Sequence, residues 1–169
     1  MESKRKTLPI TMGDINDKNI NILRKLNFDT LPVKYSTGLY MKIATQYTQF
    51  SKLAFYNDIV IGAYTVRLED YKEQLHAYIL TFVVLEPYRK YGIGRQMMNH
   101  LEKELAEKSE AKGIYLHMHV VNQVGQKFYL SCGFEVDERL DNYYTDLEEP
   151  HCLILRKEVK REAKLVENE

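Results

Sequence analysis

The chain predicts an α/β fold: a single domain with a mixed central β-sheet and helices on both of its faces. Three observations lead there. Helix-spaced and strand-like apolar runs alternate along 169 residues, with no repeat and no Gly/Ser/Pro-rich linker between them. That length suits one domain of ordinary size. The strand-like run 77–84 shows little polar alternation, as strands covered on both faces do, and 114–120 reads as a second buried strand.

The elements follow in order. A strand is expected near Thr7 to Met12. Asp17 or Asn16 is placed to cap a helix carrying Ile20, Leu23 and Leu26 on one side, with Ile22 beside them. Leu31-Pro32-Val33-Lys34-Tyr35 reads as a loop, because proline lacks an N–H and disfavours helix in the residue before it. Thr37 opens a second helix on which Leu39, Tyr40, Ile43, Ala44 and Tyr47 recur. Runs 52–56 and 59–67 flank Asn57-Asp58 and predict a β-hairpin. A polar loop over 70–74 leads into strand 77–84. The turn segment 87–94 precedes a helical pattern from Ile93 to Ser109, with Gly113 ending that segment. Strand 114–120 comes next, then a short helix capped by Asn122 and stopped by Gly133. Strands 134–138 and 152–155 finish an α-α-β-β-β-α-β-α-β-β order. Residues 1–6 form an expected flexible tail, 7–157 the domain, and 158–169 a charged tail.

Composition removes several function classes. Lys+Arg and Asp+Glu are both 24, so the basic excess of a dedicated nucleic-acid binder is missing. No run nears the roughly 20 apolar residues of a membrane span, and the polar start is unlike a signal peptide. Cys132 and Cys152 lack CxxC spacing, which argues against a disulfide framework, a zinc ribbon or a thioredoxin site. The expected setting is cytoplasmic or nuclear, without direct membrane or sequence-specific nucleic-acid partners. The aromatic composition is lopsided: 13 Tyr against 6 Phe and no Trp.

The segment Arg89-Lys90-Tyr91-Gly92-Ile93-Gly94 joins a strand to the longest helix. Glycines let backbone N–H groups turn toward a ligand, and a helix start favours phosphate. Arg89 occupies the first glycine position of a dinucleotide motif, and no Gly-Lys-Ser/Thr follows as in a P-loop. A ligand-free turn is the plain alternative. His117-x-His119 puts two imidazoles on one strand face, but no carboxylate or cysteine accompanies them at metal-ligand spacing.

Arg89-x-x-Gly92-x-Gly94 resembles the Q/R-x-x-G-x-G/A motif of the GNAT superfamily of N-acetyltransferases. Asn122, Phe128-Tyr129 and Gly133-Phe134 resemble its second block. Longer segments resemble the catalytic-subunit family of N-terminal acetyltransferase E: Leu-Pro-Val-x-Tyr at 31–35, Leu-Ala-Phe-Tyr-Asn-Asp-Ile at 53–59, Tyr-Ile at 78–79, Pro-Tyr-Arg at 87–89, Ile-Tyr-Leu-His at 114–117 and Asn-Tyr-Tyr at 142–144.

The resemblance implies the GNAT fold, acetyl-CoA as cosubstrate and no metal. It implies acetylation of N-terminal α-amines, preferring Met followed by a hydrophobic residue. The partners implied are N-terminal peptides of nascent or finished proteins, and the NatA complex subunits on the ribosome. Tyr78 and His117 fall at the family's catalytic pair, with the order of proton transfer between them open, and Tyr129 faces the cofactor sulfur. Phe82, Val83, Val84, Arg89, Lys90, Tyr91, Gly92, Ile93, Gly94, Arg95, Asn122 and Tyr129 would hold acetyl-CoA. Arg89 could instead serve the turn, and Asn122 could cap its helix. Leu31, Pro32, Val33, Tyr35, Tyr78, Leu80, Tyr143, Tyr144 and Leu147 would clasp the peptide. Leu31 and Leu80 depart from the family's usual Phe and Met, and Thr145-Asp146 replaces residues often basic in animal relatives. The competing readings are a lysine or small-amine acetyltransferase and a weakly active accessory subunit.

Overall fold

A computed structural model of the chain describes residues 6–162. It contains strands β1 (Thr11–Asp14), β2 (Lys52–Tyr56), β3 (Ile59–Tyr71), β4 (Gln74–Val84), β5 (Gly113–His119), β6 (Glu135–Leu140) and β7 (Cys152–Glu158). The helices are α1 (Ile20–Thr30), α2 (Thr37–Thr45), α3 (Ile93–Lys108) and α4 (Gln123–Ser131). All seven strands lie in one sheet, ordered β1-β2-β3-β4-β5-β7-β6. One core layer joins the sheet to α3 and α4 through Ile61, Tyr64, Met97, Leu101, Leu105, Leu116 and Phe134. The second joins it to α1 and α2 through Leu23, Leu26, Tyr40, Ile43, Leu53, Ala63 and Val83. The expected mixed sheet with helices on both faces is the fold observed.

Every neighbouring pair is antiparallel except β4 and β5. Their parallel ladder is short: His76 opposite Gly113, Ala77 opposite Ile114, Tyr78 opposite Tyr115. Beyond Tyr78 the two strands run on unpaired and a wedge opens between them. A β-bulge sits at the start of the wedge. Ile79 pairs with Val66 and Thr81 with Thr65, leaving Leu80 as the extra residue. Bulges bend a strand and sharpen its twist. This one also exchanges faces: Ala77 and Ile79 enter the α3 layer before it, but Phe82 and Val84 do so after it.

The structure corrects several local expectations. Asn19, not Asp17 or Asn16, immediately precedes α1, and Asn16 Oδ1 instead accepts the Lys18 N–H at 2.9 Å. Thr37 opens α2 as expected, and Ser36 before it is the cap, its Oγ accepting the Leu39 N–H at 3.2 Å. Asn57 and Asp58 form the expected hairpin turn, both in the left-handed region (φ 47° and 64°). The polar loop at 70–74 is a second two-residue turn at Lys72 and Glu73 (φ 48° and 64°), so β3 and β4 are longer than read. The first strand lies at Thr11–Asp14, β6 reaches Leu140 and β7 reaches Glu158. Gly113 belongs to β5, as its first residue.

Residues 1–5 and 163–169 of the expected tails lie outside the described residues. Before the latter, Val159 is buried, and Arg161 Nη2 donates to the Ser109 and Ala111 carbonyls at 2.8 and 2.9 Å.

Candidate active site

The wedge leaves the β5-facing edge of β4 without a strand, and one hydrogen bond shows which groups line it. Leu85 N–H donates to Ile61 O at 2.8 Å. In an antiparallel ladder this alternates by residue, so Val83 exchanges bonds with its partner Ala63. Phe82 and Val84 therefore turn their N–H and C=O groups into the wedge. Val83 does not fit the cofactor role expected of it: its peptide groups face β3 and its side chain is buried against α1 and α2. The bulge at Leu80 sets this parity.

Glu86–Tyr88 makes one 3-10 turn after β4. Arg89 serves that turn, with its N–H on Glu86 O at 3.1 Å and its Nε on Val84 O at 2.9 Å. Lys90 and Gly92 both take positive φ (68° and 74°), which steers the chain into α3. Gly92 is the N-cap residue, and the first bond of the helix runs from Gln96 N–H to Gly92 O at 3.1 Å. The N–H groups of Ile93, Gly94 and Arg95 in the first turn have no helical partner and lie at the positive dipole end. A Cβ at Gly94 would come within 3.0 Å of the Phe128 ring, so this glycine lets α3 and α4 approach. Arg95 Nη2 donates to Ser131 O at 2.9 Å, tying the same two helices. Tyr91 O accepts the Leu8 N–H at 3.1 Å, while the Lys90 side chain is exposed.

On α4, Asn122 Oδ1 accepts the Gly125 N–H at 2.9 Å, so it caps the helix. Tyr129 is buried among Phe82, Phe128 and Phe134. No side-chain hydrogen bond among the described residues engages its hydroxyl, and burial pushes that phenol well up, keeping it protonated.

The opposite face of the wedge is aromatic. His117 Nδ1 and Tyr78 Oη are hydrogen-bonded at 3.0 Å. Burial pushes the Tyr78 phenol up and the His117 imidazole down. Tyr78 is thus held protonated and His117 neutral. The Tyr143 ring lies flat against His117, centroids 5.0 Å apart and planes 19° apart. Tyr35 and Tyr143 stand near enough to Tyr78 to raise its phenol further, and both do the same to Tyr144. The β6–β7 loop so brings Tyr143 against His117 with Tyr144 beside it, and Tyr35 of the α1–α2 loop lies within electrostatic reach of Tyr78. Leu31 rests against the α1–α2 core layer and Leu80 is half-buried, while Pro32, Val33 and Leu147 are exposed.

Four residues of this face escaped the sequence reading. Arg67 sits opposite Tyr78 in register, its guanidinium 5.0 Å from the ring centroid. Its Nε bonds Glu69 Oε2 at 2.6 Å, and Glu69 also accepts from the Tyr115 hydroxyl. Tyr71 stacks on Tyr115 at 4.1 Å and 15°. The available signal was alternation: Arg67, Glu69 and Tyr71 occupy every second position of β3. Ending that strand at Arg67 hid it.

Residues 20–134 match the model of the Acetyltransferase (GNAT) family. The chain belongs to the GNAT acetyltransferase family. It is 35% identical over 151 residues to N-alpha-acetyltransferase 50 of Danio rerio, covering 89% of each chain. It is 34% identical over 154 residues to the probable N-acetyltransferase san of Drosophila melanogaster, covering 91% of this chain and 83% of that one. The solved structure of Arabidopsis thaliana Naa50 in complex with the bisubstrate analogue CoA-Ac-MVNAL aligns with a TM-score of 0.77 at 36% identity, over 88% of this chain and 97% of that one. The GNAT match takes in the wedge, the glycine loop and α4, and stops before the loop that carries Tyr143 and Tyr144.

Proposed function

We propose that this GNAT acetyltransferase moves the acetyl group of acetyl-CoA to the N-terminal α-amine of proteins, preferring Met followed by a hydrophobic residue. The observation that carries the reading is the Tyr78–His117 pair, hydrogen-bonded at the wedge, with the Tyr143 ring stacked on His117 and Tyr144 edge-on to Tyr143. Two relatives named for N-acetyl transfer support it, as does the Met-Val peptide of the analogue on the Arabidopsis protein.

The residues fit the cosubstrate. Phe82 and Val84 offer strand-edge peptide groups to a pantetheine chain of alternating amides. The free N–H groups of Ile93 to Arg95 suit a pyrophosphate. Acetyl-CoA supplies an activated thioester; the protein supplies orientation and proton handling. An α-amine has a reference pKa of about 7.7–8.0, so a modest base is enough. Protonated Tyr78 can take the amine proton only as it hands its own to His117 Nδ1. The pair then works as a relay ending on neutral His117. Across the wedge, the Tyr129 hydroxyl donates to the sulfur as the C–S bond breaks. The exposed apolar side chains of Val33 and Leu147 would complete the pocket for the Met side chain when peptide binds. The proposal extends to association with NatA subunits on the ribosome and to a cytoplasmic or nuclear setting, both implied by the resemblance. No helix among the described residues is long and apolar enough to cross a membrane.

The test is a peptide panel with acetyl-CoA: Met-Leu-, Ser- and Ala-starting peptides, and a blocked peptide with internal lysines. CoA release is expected with Met-Leu- and little with Ser- or Ala-. Turnover confined to the blocked lysine peptide would overturn the reading.

A further inference from the structure

His119 has no part in the transfer just described, yet it shares a strand face with His117 two residues earlier. Its imidazole stands edge-on to the Tyr144 ring, centroids 5.3 Å apart and planes 77° apart. Its Nε2 is hydrogen-bonded to the Glu149 carbonyl oxygen. A carbonyl only accepts, so Nε2 carries the hydrogen, and the bond is available to the neutral and the charged ring alike. That nitrogen is then no metal ligand, and no group of three or more His, Cys, Asp or Glu placed to hold a metal ion occurs among the described residues.

The contacts continue through the β6–β7 loop. Tyr144 N–H donates to Pro150 O at 2.9 Å, closing the loop on itself. The Tyr144 hydroxyl lies against the Cys152 thiol at the start of β7. Tyr143 stands at 90° to Tyr144, 5.1 Å away, and its other neighbour is the face of His117. His119 thus touches one end of a chain of rings whose other end is the proton acceptor. The loop is otherwise open: Tyr143 and Leu147 are 47% and 45% exposed.

We propose that His119 is a positioning residue that pins the Tyr143–Tyr144 loop through the Glu149 carbonyl and the Tyr144 ring, setting the peptide clasp before substrate arrives. The proposal rests on the peptide-acetyltransferase reading above. Two histidines at alternate positions then divide the work, one holding the proton and one holding the lid.

His119→Phe keeps a ring and removes the donor, while His119→Gln keeps a donor. In steady-state assays with Met-Leu- peptide, His119→Phe is expected to raise the peptide KM about fivefold, the effect of one ordinary hydrogen bond. The kcat, the acetyl-CoA KM and the pH profile stay as in the parent, amide exchange across 141–150 quickens, and His119→Gln restores most of the peptide KM. If His119→Phe fails to fold, His119→Asn carries the same expectations, its amide being too short to reach the carbonyl. An unchanged peptide KM with unchanged exchange overturns the proposal. So does a fall in kcat with a displaced pH profile, which would put His119 in the proton path. If the parent protein leaves Met-Leu- peptide unacetylated, the functional reading fails, while the exchange comparison still decides the anchoring.

Discussion

On the α3 side of the wedge, the groups turned inward are backbone: the peptide groups of Phe82, the N–H of Val84, whose carbonyl takes the Arg89 Nε–H, and the N–H groups of the first turn of α3. On the other side they are rings: Tyr35, Tyr78, His117, Tyr143 and Tyr144, backed by Tyr115 and Tyr71. A backbone site depends on φ/ψ and tolerates most side chains. A ring site depends on side-chain identity and on loops arriving from distant parts of the chain. The two sides should therefore fail differently when mutated.

The largest effect belongs to the ring side. His117→Ala and Tyr78→Phe are each expected to lower kcat about 100-fold or more, as loss of a general base does, with the acetyl-CoA KM unchanged. The pH dependence sharpens this. Burial favours the neutral imidazole, so His117 gains its proton only below the ordinary histidine value of about 6.5. kcat/KM should rise with pH through that lowered value and rise again as the substrate amine loses its proton. His117→Ala should keep only the second rise.

A smaller effect, read in a different constant, belongs to the backbone side. Gly92 holds φ at 74°, where a β-branched residue is strained by about 1–3 kcal/mol. Gly92→Val should raise the acetyl-CoA KM about tenfold and leave the peptide KM alone, since a tenfold change matches about 1.4 kcal/mol. The smallest is Arg89→Met, which removes the bond to Val84 O. One neutral-acceptor bond at an exposed site should cost about two- to fivefold in acetyl-CoA KM. If His117→Ala raised the acetyl-CoA KM as much as Gly92→Val, the division between the sides would fail.

The same division explains what the sequence made legible. The glycine loop is local, six residues between a strand and a helix, and its glycines are written where the φ angles need them. The ring cluster joins residues from 35 to 144, and only a family resemblance could gather them. Phe82 and Val84 could not be told from Val83, because one extra residue at Leu80 reverses the alternation. The Lys72-Glu73 turn was hidden since neither residue is a usual occupant of left-handed backbone. The excess of tyrosine is now better explained: Tyr71 and Tyr115 join the six assigned from the sequence, Tyr35, Tyr78, Tyr91, Tyr129, Tyr143 and Tyr144.

The short ladder between β4 and β5 bears on folding as well. Three residue pairs make up the strand ladder between the β1–β4 meander and strands β5–β7, and every other strand pairing among the described residues falls within one half. Each half is an antiparallel unit of near-neighbour strands, and the parallel seam is a docking step between them. Parting the seam would also split the core layer that both halves share under α3 and α4, and would break the Arg156–His76 bond and the bonds of Tyr71 and Lys72 to Asp137. A ligand held across the wedge binds only the docked arrangement, so it acts as a clasp on assembly and raises the free energy of separation rather than the stability of either unit.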